Sequence, residues 1–152
     1  MIRSASPADT ARAVELLRDS HAAAGFDGTG RSGFAVPFEA AYAERLFARH
    51  LEMMNGCALV HEVQGRAEGL LLAIAHEHPF GPVWLASETV WWIDPAHRGY
   101  SALAMLDAYE AWASGKGCKF AGMAGMGDDP VIARLYARRG YFKAETHFLK
   151  AV

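Results

Sequence analysis

Trp92-Ile93-Asp94-Pro95-Ala96-His97-Arg98-Gly99-Tyr100-Ser101 is the stretch on which the reading of this chain turns. Before it, Trp84 to Ile93 is an apolar, β-rich run, and Asp94-Pro95 stops it because proline cannot donate to a ladder. After it, from Gly99 to about Ser114, the apolar spacing becomes helical: Leu103, Leu106 and Ala113, with Met105 and Tyr109 beside them, form a buried side. A strand thus runs into a helix through a short basic turn. A helix N-terminus carries unpaired amides and the positive end of the dipole, so such a turn suits an anion. Arg98 adds charge-assisted donors.

Working outward, Gly115 and Gly117 end the helix and Cys118 to Ala124 reads as a short strand. Asp128-Asp129-Pro130 opens another helix, closed by Gly140, and Tyr141 to Leu149 reads as the last strand. Upstream, Cys57 to Val63 and Ala67 to His78 are strands joined tightly through Gln64-Gly65-Arg66, and Pro79 to Pro82 turns into the Trp84 strand. A short strand at Ile2 to Ala5 precedes a helix with Ser6 as cap, Pro7 in its first turn and Val14 and Leu17 on its apolar side. Gly25 to Pro37 is a glycine-rich loop, read equally as a binding loop or a connector. Phe38 to Asn55 is a second helix whose apolar stripe is Tyr42, Leu46 and Met53. The order β-α-α-β-β-β-α-β-α-β predicts an α/β (α+β) fold with a six- to seven-stranded mixed sheet and helices on both faces.

The chain has 152 residues, which predicts one domain over residues 1–152. Apolar residues make up 52% and charged residues 21%, a globular balance. A net charge of −2 gives no electrostatic case for nucleic acid or for an anionic membrane. The first ten residues lack the apolar core of a signal peptide and no apolar run approaches the roughly 18 residues of a span, so a soluble, cytoplasmic protein is expected. Cys57 and Cys118 have no CxxC spacing and read as reduced core residues. His76 and His78 share a strand face but lack a third ligand, so no metal is expected. Trp84, Trp91, Trp92 and Phe120 read as core rather than as a stacking platform.

The turn at Arg98-Gly99-Tyr100-Ser101-Ala102-Leu103 resembles the coenzyme A pyrophosphate loop of the GNAT superfamily, usually R/Q-x-x-G-x-G/A, with Ser101 and Leu103 replacing the later glycine positions. Downstream, Asp129-Pro130-Val131-Ile132-Ala133-Arg134-Leu135-Tyr136-Ala137-Arg138-Arg139-Gly140-Tyr141 resembles the superfamily's N-x-x-A-x-x-L-Y-x-x-x-G-F segment. Leu135, Tyr136 and Gly140 align directly; Asp129, Ile132 and Tyr141 are departures. The Trp91-Trp92-Ile93-Asp94-Pro95 wording is similar to members found in phage and bacterial genomes.

The resemblance implies an N-acetyltransferase that moves an acetyl group from acetyl-coenzyme A (acetyl-CoA) to a primary amine of a small molecule or peptide by direct attack, with no metal. It implies contacts to coenzyme A from Trp92, Ile93, His97, Arg98, Gly99, Tyr100, Ser101, Ala102 and Asp129, with the Trp92 and Ile93 amides polarising the thioester carbonyl and the Ser101 hydroxyl adding a donor. Glu88, a charge amid apolar neighbours, is the candidate proton acceptor, with Glu77 as substitute, and Tyr136 is the candidate donor to the leaving thiolate. A homodimer is common in the superfamily. The altered loop keeps a second reading open, a non-catalytic acyl-CoA-binding or interaction domain of the same fold.

Overall fold

The computed structural model describes residues 1–28, 35–125, 130–145, 147 and 150. Its elements run β1 (Ile2–Ser4), α1 (Thr10–Ala23), α2 (Ala40–Glu52), β2 (Gly56–Val63), β3 (Arg66–Glu77), β4 (Trp84–Ile93), α3 (Tyr100–Gly115), β5 (Phe120–Gly122) and α4 (Pro130–Arg138), with short 3-10 turns at Pro7–Asp9 and Pro95–His97. The strands lie side by side in chain order. The first three pairings are antiparallel and β4 pairs β5 in parallel, so the sheet is mixed.

Helices cover both faces. Ala13, Leu16, Phe47, Val60, Leu70 and Leu72 close one core beneath α1 and α2. Cys57, Leu59, Leu71, Ala73, Ala86, Met105 and Tyr109 close the other beneath α3. This explains why β3 shows no alternation: Ala67 to Ala73 are buried in a row because both faces of the strand are covered. Both cysteines are free thiols in the α3-side core, and burial pushes Cys57 up to about 12, far from a reactive thiolate.

Several expectations change. Among the described residues the sheet has five strands, not six or seven. Tyr141 to Glu145 form no strand; Tyr141 donates instead to Glu110 Oε1 at 3.1 Å, and Arg139 pairs with Asp107 and Glu110, tying the end of α4 to α3. Thr146, Phe148 and Leu149 of that expected strand lie outside the described residues. Trp84 and Phe120 are exposed rather than core, standing at the first positions of β4 and β5, the end of the sheet away from the start of α3.

The buried stripe of α2 is Ala43, Phe47 and His50; of the expected Tyr42, Leu46 and Met53, Leu46 packs partly buried against the same core, while Tyr42 is exposed. The i, i+4, i+7 spacing holds, but a histidine occupies its last position. His50 is 3% exposed, and both ring nitrogens have partners. Gly56 follows closely: a Cβ there would stand 2.5 Å from the His50 carbonyl oxygen, so only glycine lets β2 start this close to α2.

One charged cluster lies under α1. Glu68, 6% exposed, receives Arg12 Nη2 at 2.7 Å and Arg66 Nη1 at 3.0 Å, while Arg12 Nε donates to the Ala67 carbonyl. The Glu68 carbonyl accepts from the Asp94 amide at 2.9 Å, which links this cluster to the turn after β4.

Candidate functional site

The parallel pairing of β4 with β5 is brief. It joins Leu85, Ala86 and Ser87 to Phe120, Ala121 and Gly122 and then stops, although β4 continues to Ile93. Beyond Ser87 the two chains part and leave an opening whose β4 edge has no strand partner among the described residues.

Within β4 the register to β3 slips. Leu72 pairs with Val90 and Ala73 with Glu88, so Thr89 is an extra, bulged residue. A one-residue slip exchanges the faces of everything beyond it. Ala86 lies in the α3-side core, yet Val90 and Trp92 pack toward α1 and α2, and Trp91 and Ile93 join the α3 side. The bulge therefore turns Trp92 toward α1 and α2, partly buried, while Glu88 stays on the face that Trp91 and Ile93 share.

The slip also fixes which amides face the opening. Asp94 donates back to β3 through Glu68, so by strand alternation the Trp92 amide faces β3, where Trp92 pairs Leu70. The amides of Trp91 and Ile93 face the opposite edge. Of the two amides expected to polarise a carbonyl, that of Ile93 faces the opening, whereas that of Trp92 faces β3; the Trp91 amide faces the opening beside it.

Glu88 and Tyr136, far apart in sequence, meet here. The half-buried Glu88 carboxylate accepts from the Ala124 amide at 3.0 Å across the opening, and the Trp91 amide is near enough to favour its charged form. Burial raises its pKa above the usual 4.5, with those two amides acting in the opposite direction. Tyr136 donates to the Ala124 carbonyl at 2.9 Å, its ring 6.3 Å from Trp91 and 5.6 Å from Tyr141. Burial first, and then the charge of Glu88, raise its pKa, so the phenol keeps its proton. Glu77, the substitute base, is exposed at the far end of β3 and takes no part. Across the sheet Ser87 Oγ lies 3.0 Å from His76 Nε2, and His78 Nδ1 accepts from the Phe80 amide, so these histidines have hydrogen-bonding roles.

The turn before α3 is built by Asp94, whose Oδ1 accepts from Ala96 at 3.0 Å and whose carbonyl accepts from His97 at 2.8 Å. Gly99 has φ +106°, a conformation that suits glycine, and caps α3. Among the described residues no main-chain oxygen accepts from the amides of Gly99, Tyr100 or Ser101. Three successive free amides at the start of a 16-residue helix fit a diphosphate.

The rest of the expected loop differs. The Ala102 amide is taken by the Gly99 carbonyl at 3.0 Å. The Ser101 hydroxyl donates to the His97 carbonyl, closing the turn instead of facing a ligand. Arg98 Nε donates to the Ile93 carbonyl at 2.9 Å, and its guanidinium lies 4.6 Å from the centre of the Trp92 ring. Arg98 thus clasps the strand end to the turn, and only its Nη nitrogens remain for an anion. His97 contributes its main chain to the turn, and Tyr100 is 84% exposed beside the free amides. Asp129 lies outside the described residues.

Elsewhere, a cavity of about 470 Å³ opens between α1 and the segment before α2, lined by Arg18, His21, Phe26, Val36 and Phe38 among others. Among the described residues no three His, Cys, Asp or Glu side chains gather as a metal set, and no helix is long and apolar enough to cross a membrane.

No family model and no curated protein matches this sequence. Solved structures match its fold from end to end. A transcriptional regulator from Bacillus halodurans C-125 is 22% identical, with a TM-score of 0.74 over 100% of this chain and 98% of that one. A ribosomal-protein-alanine N-acetyltransferase from Brucella melitensis is 19% identical, with a TM-score of 0.72 over 100% and 99%. An aminoglycoside 6'-N-acetyltransferase from Acinetobacter haemolyticus is also 19% identical, with a TM-score of 0.71 over 100% and 99%.

Proposed function

We propose, because this chain has the fold of the GNAT acetyltransferases, that it is an N-acetyltransferase using acetyl-CoA as cosubstrate and a primary amine of a small molecule or peptide as acceptor. The observation that carries the reading is the alignment, along one strand, of two features. The β4–β5 opening holds Glu88, Tyr136 and the outward amides of Trp91 and Ile93, and β4 leads directly to the free amides of Gly99 to Ser101.

Acetyl-CoA would supply the acetyl group as a thioester and carry a diphosphate. The amides of Gly99, Tyr100 and Ser101, with the Arg98 Nη nitrogens, would hold that diphosphate. The amides of Ile93 and Trp91 would donate to the acyl oxygen and stabilise the negative charge that develops on it. An amine is mostly protonated at neutral pH and must lose a proton to attack. Glu88, made more basic by burial, accepts that proton directly or through water. The new C–N bond replaces the C–S bond, the nitrogen sheds its remaining extra proton to water, and Tyr136, still protonated, gives its proton to the departing sulfur. Solvent then restores both groups.

The test is release of free thiol from acetyl-CoA against a panel of primary amines, run on the parent chain and on Tyr136→Phe. The parent should turn over, and the variant should lose on the order of 100-fold in kcat with little change in melting temperature. A fully active variant would remove Tyr136 from the mechanism. The half-altered phosphate turn favours one other reading, an acyl-CoA-binding domain without catalysis. A melting temperature raised by acetyl-CoA, with no turnover on any amine, would establish it.

A further inference from the structure

The buried His50 serves no part of the chemistry above, yet it touches the one irregularity on which that chemistry depends. Its Nδ1 lies 2.8 Å from the Leu46 carbonyl, which can only accept, so Nδ1 carries a proton. In the neutral ring Nε2 is then an acceptor, and it lies 3.1 Å from Thr89 Oγ1. Thr89 is the bulged residue of β4. Its side chain is therefore tied to α2, on the face opposite Glu88. A similar tie stands one residue before Glu88: His76 Nε2 meets the Ser87 hydroxyl, while His76 Nδ1 lies 3.1 Å from the Glu77 carbonyl.

We propose that His50 is a positioning residue for the acetyl-transfer site, pinning the Thr89 bulge through its hydroxyl and thereby fixing the face on which Glu88 and the Trp91 and Ile93 amides stand. The physical reason is register. A bulge in the middle of a long ladder competes with a regular pairing that would place Glu88 on the same face as Val90 and Trp92. Nothing in the main chain of Thr89 dictates the irregular choice, because it is neither glycine nor at a positive φ. The His50–Thr89 bond is an interaction that the bulged register makes from the α2 side. It also gives the last position of the α2 stripe a reason to be histidine, where an aliphatic residue would fill the core equally well.

The kinetic half of this inference rests on the acetyltransferase reading; the structural half does not, and one experiment separates them. Because His50 is in the core, the half-bond is cut from the exposed side, with Thr89→Val removing the hydroxyl at constant shape and Thr89→Ser keeping it. Turnover and amide hydrogen exchange are measured on both variants and on the parent. Thr89→Val should lower kcat by roughly tenfold or more with the KM for acetyl-CoA unchanged, the size expected when a catalytic group is misplaced. It should also speed exchange at the Ala124 amide, which donates to Glu88. Thr89→Ser should restore both readouts. Parent-like exchange in Thr89→Val, or equal losses in Val and Ser, would overturn the role of His50. A parent chain with no turnover at all would instead sink the acetyltransferase reading, and the exchange comparison would still decide the positioning.

Discussion

Glu88→Gln is expected to lower turnover by roughly two to four orders of magnitude, the usual worth of a positioned proton acceptor. The substitution keeps size and leaves an oxygen that can accept from the Ala124 amide, so the opening between β4 and β5 should keep its shape. Stability should not fall with activity. The folded pKa of Glu88 lies above its unfolded value because burial disfavours the charge. Such a group favours the fold at pH below its unfolded pKa, and that contribution is lost as pH rises through the folded one. At neutral pH the ionised Glu88 is therefore a cost that glutamine removes, and the variant should melt no lower than the parent. The acid limb of kcat/KM in the parent should lie above the ordinary carboxylate range and vanish in the variant. Glu88→Gln with parent turnover would move the proton acceptor elsewhere.

Arg12→Ala is expected to destabilise the fold by about 3 kcal/mol, the low end for stripping a partner from a buried charge. The Glu68 carboxylate would keep only Arg66, whose side chain is 58% exposed and so a weak, screened partner. Loss of Arg12 Nε would also leave the Ala67 carbonyl without that donor. In a domain of this size the cost corresponds to a fall of on the order of 10 °C in melting temperature. Replacing Arg12 and Glu68 together by methionine should recover much of it, since two apolar groups leave no orphaned charge. The Arg12 guanidinium lies 3.8 Å from Asp94 and Glu68 anchors the Asp94 amide, so Arg12→Ala should also weaken acetyl-CoA binding through the turn that Asp94 builds. A melting temperature within a degree or two of the parent would mean that water already serves Glu68.

The sequence made legible what local chemistry dictates. Asp94-Pro95 ends β4, Gly99 caps α3, and the switch from strand to helical spacing between them is read directly from residue types. The apolar run Leu70 to Ala75 marks β3 as a strand. Glu88 stands out as a charge among apolar residues and Tyr136 by resemblance, and the structure brings both to Ala124.

What escaped depends on partners. The bulge at Thr89 is defined by the register of β3 against β4, and no residue type there announces it. It is this bulge that puts the Trp91 amide, rather than that of Trp92, at the open edge. His50 gives no signal in the sequence, since a histidine in a helix stripe reads as polar until its hydrogen-bond partners are known. Ser101 carried a signal that was available: a serine in the first turn of a helix readily bonds the carbonyl four residues back, here His97, and that local bond removes it from the phosphate turn. The strand expected from Tyr141 to Leu149 does not form over Tyr141 to Glu145, because Tyr141 is drawn to Glu110 on α3.

The central claim is that the end of β4 and the start of α3 together hold the cosubstrate. Titrating acetyl-CoA into isotope-labelled protein and following backbone amide resonances tests it directly. The account predicts saturable shifts that are largest at Gly99, Tyr100, Ser101 and Ile93, with Ala102 and Trp92 moving less because their amides are already engaged. Saturation with the largest shifts clustered elsewhere, or no saturable change at those four amides, would contradict it.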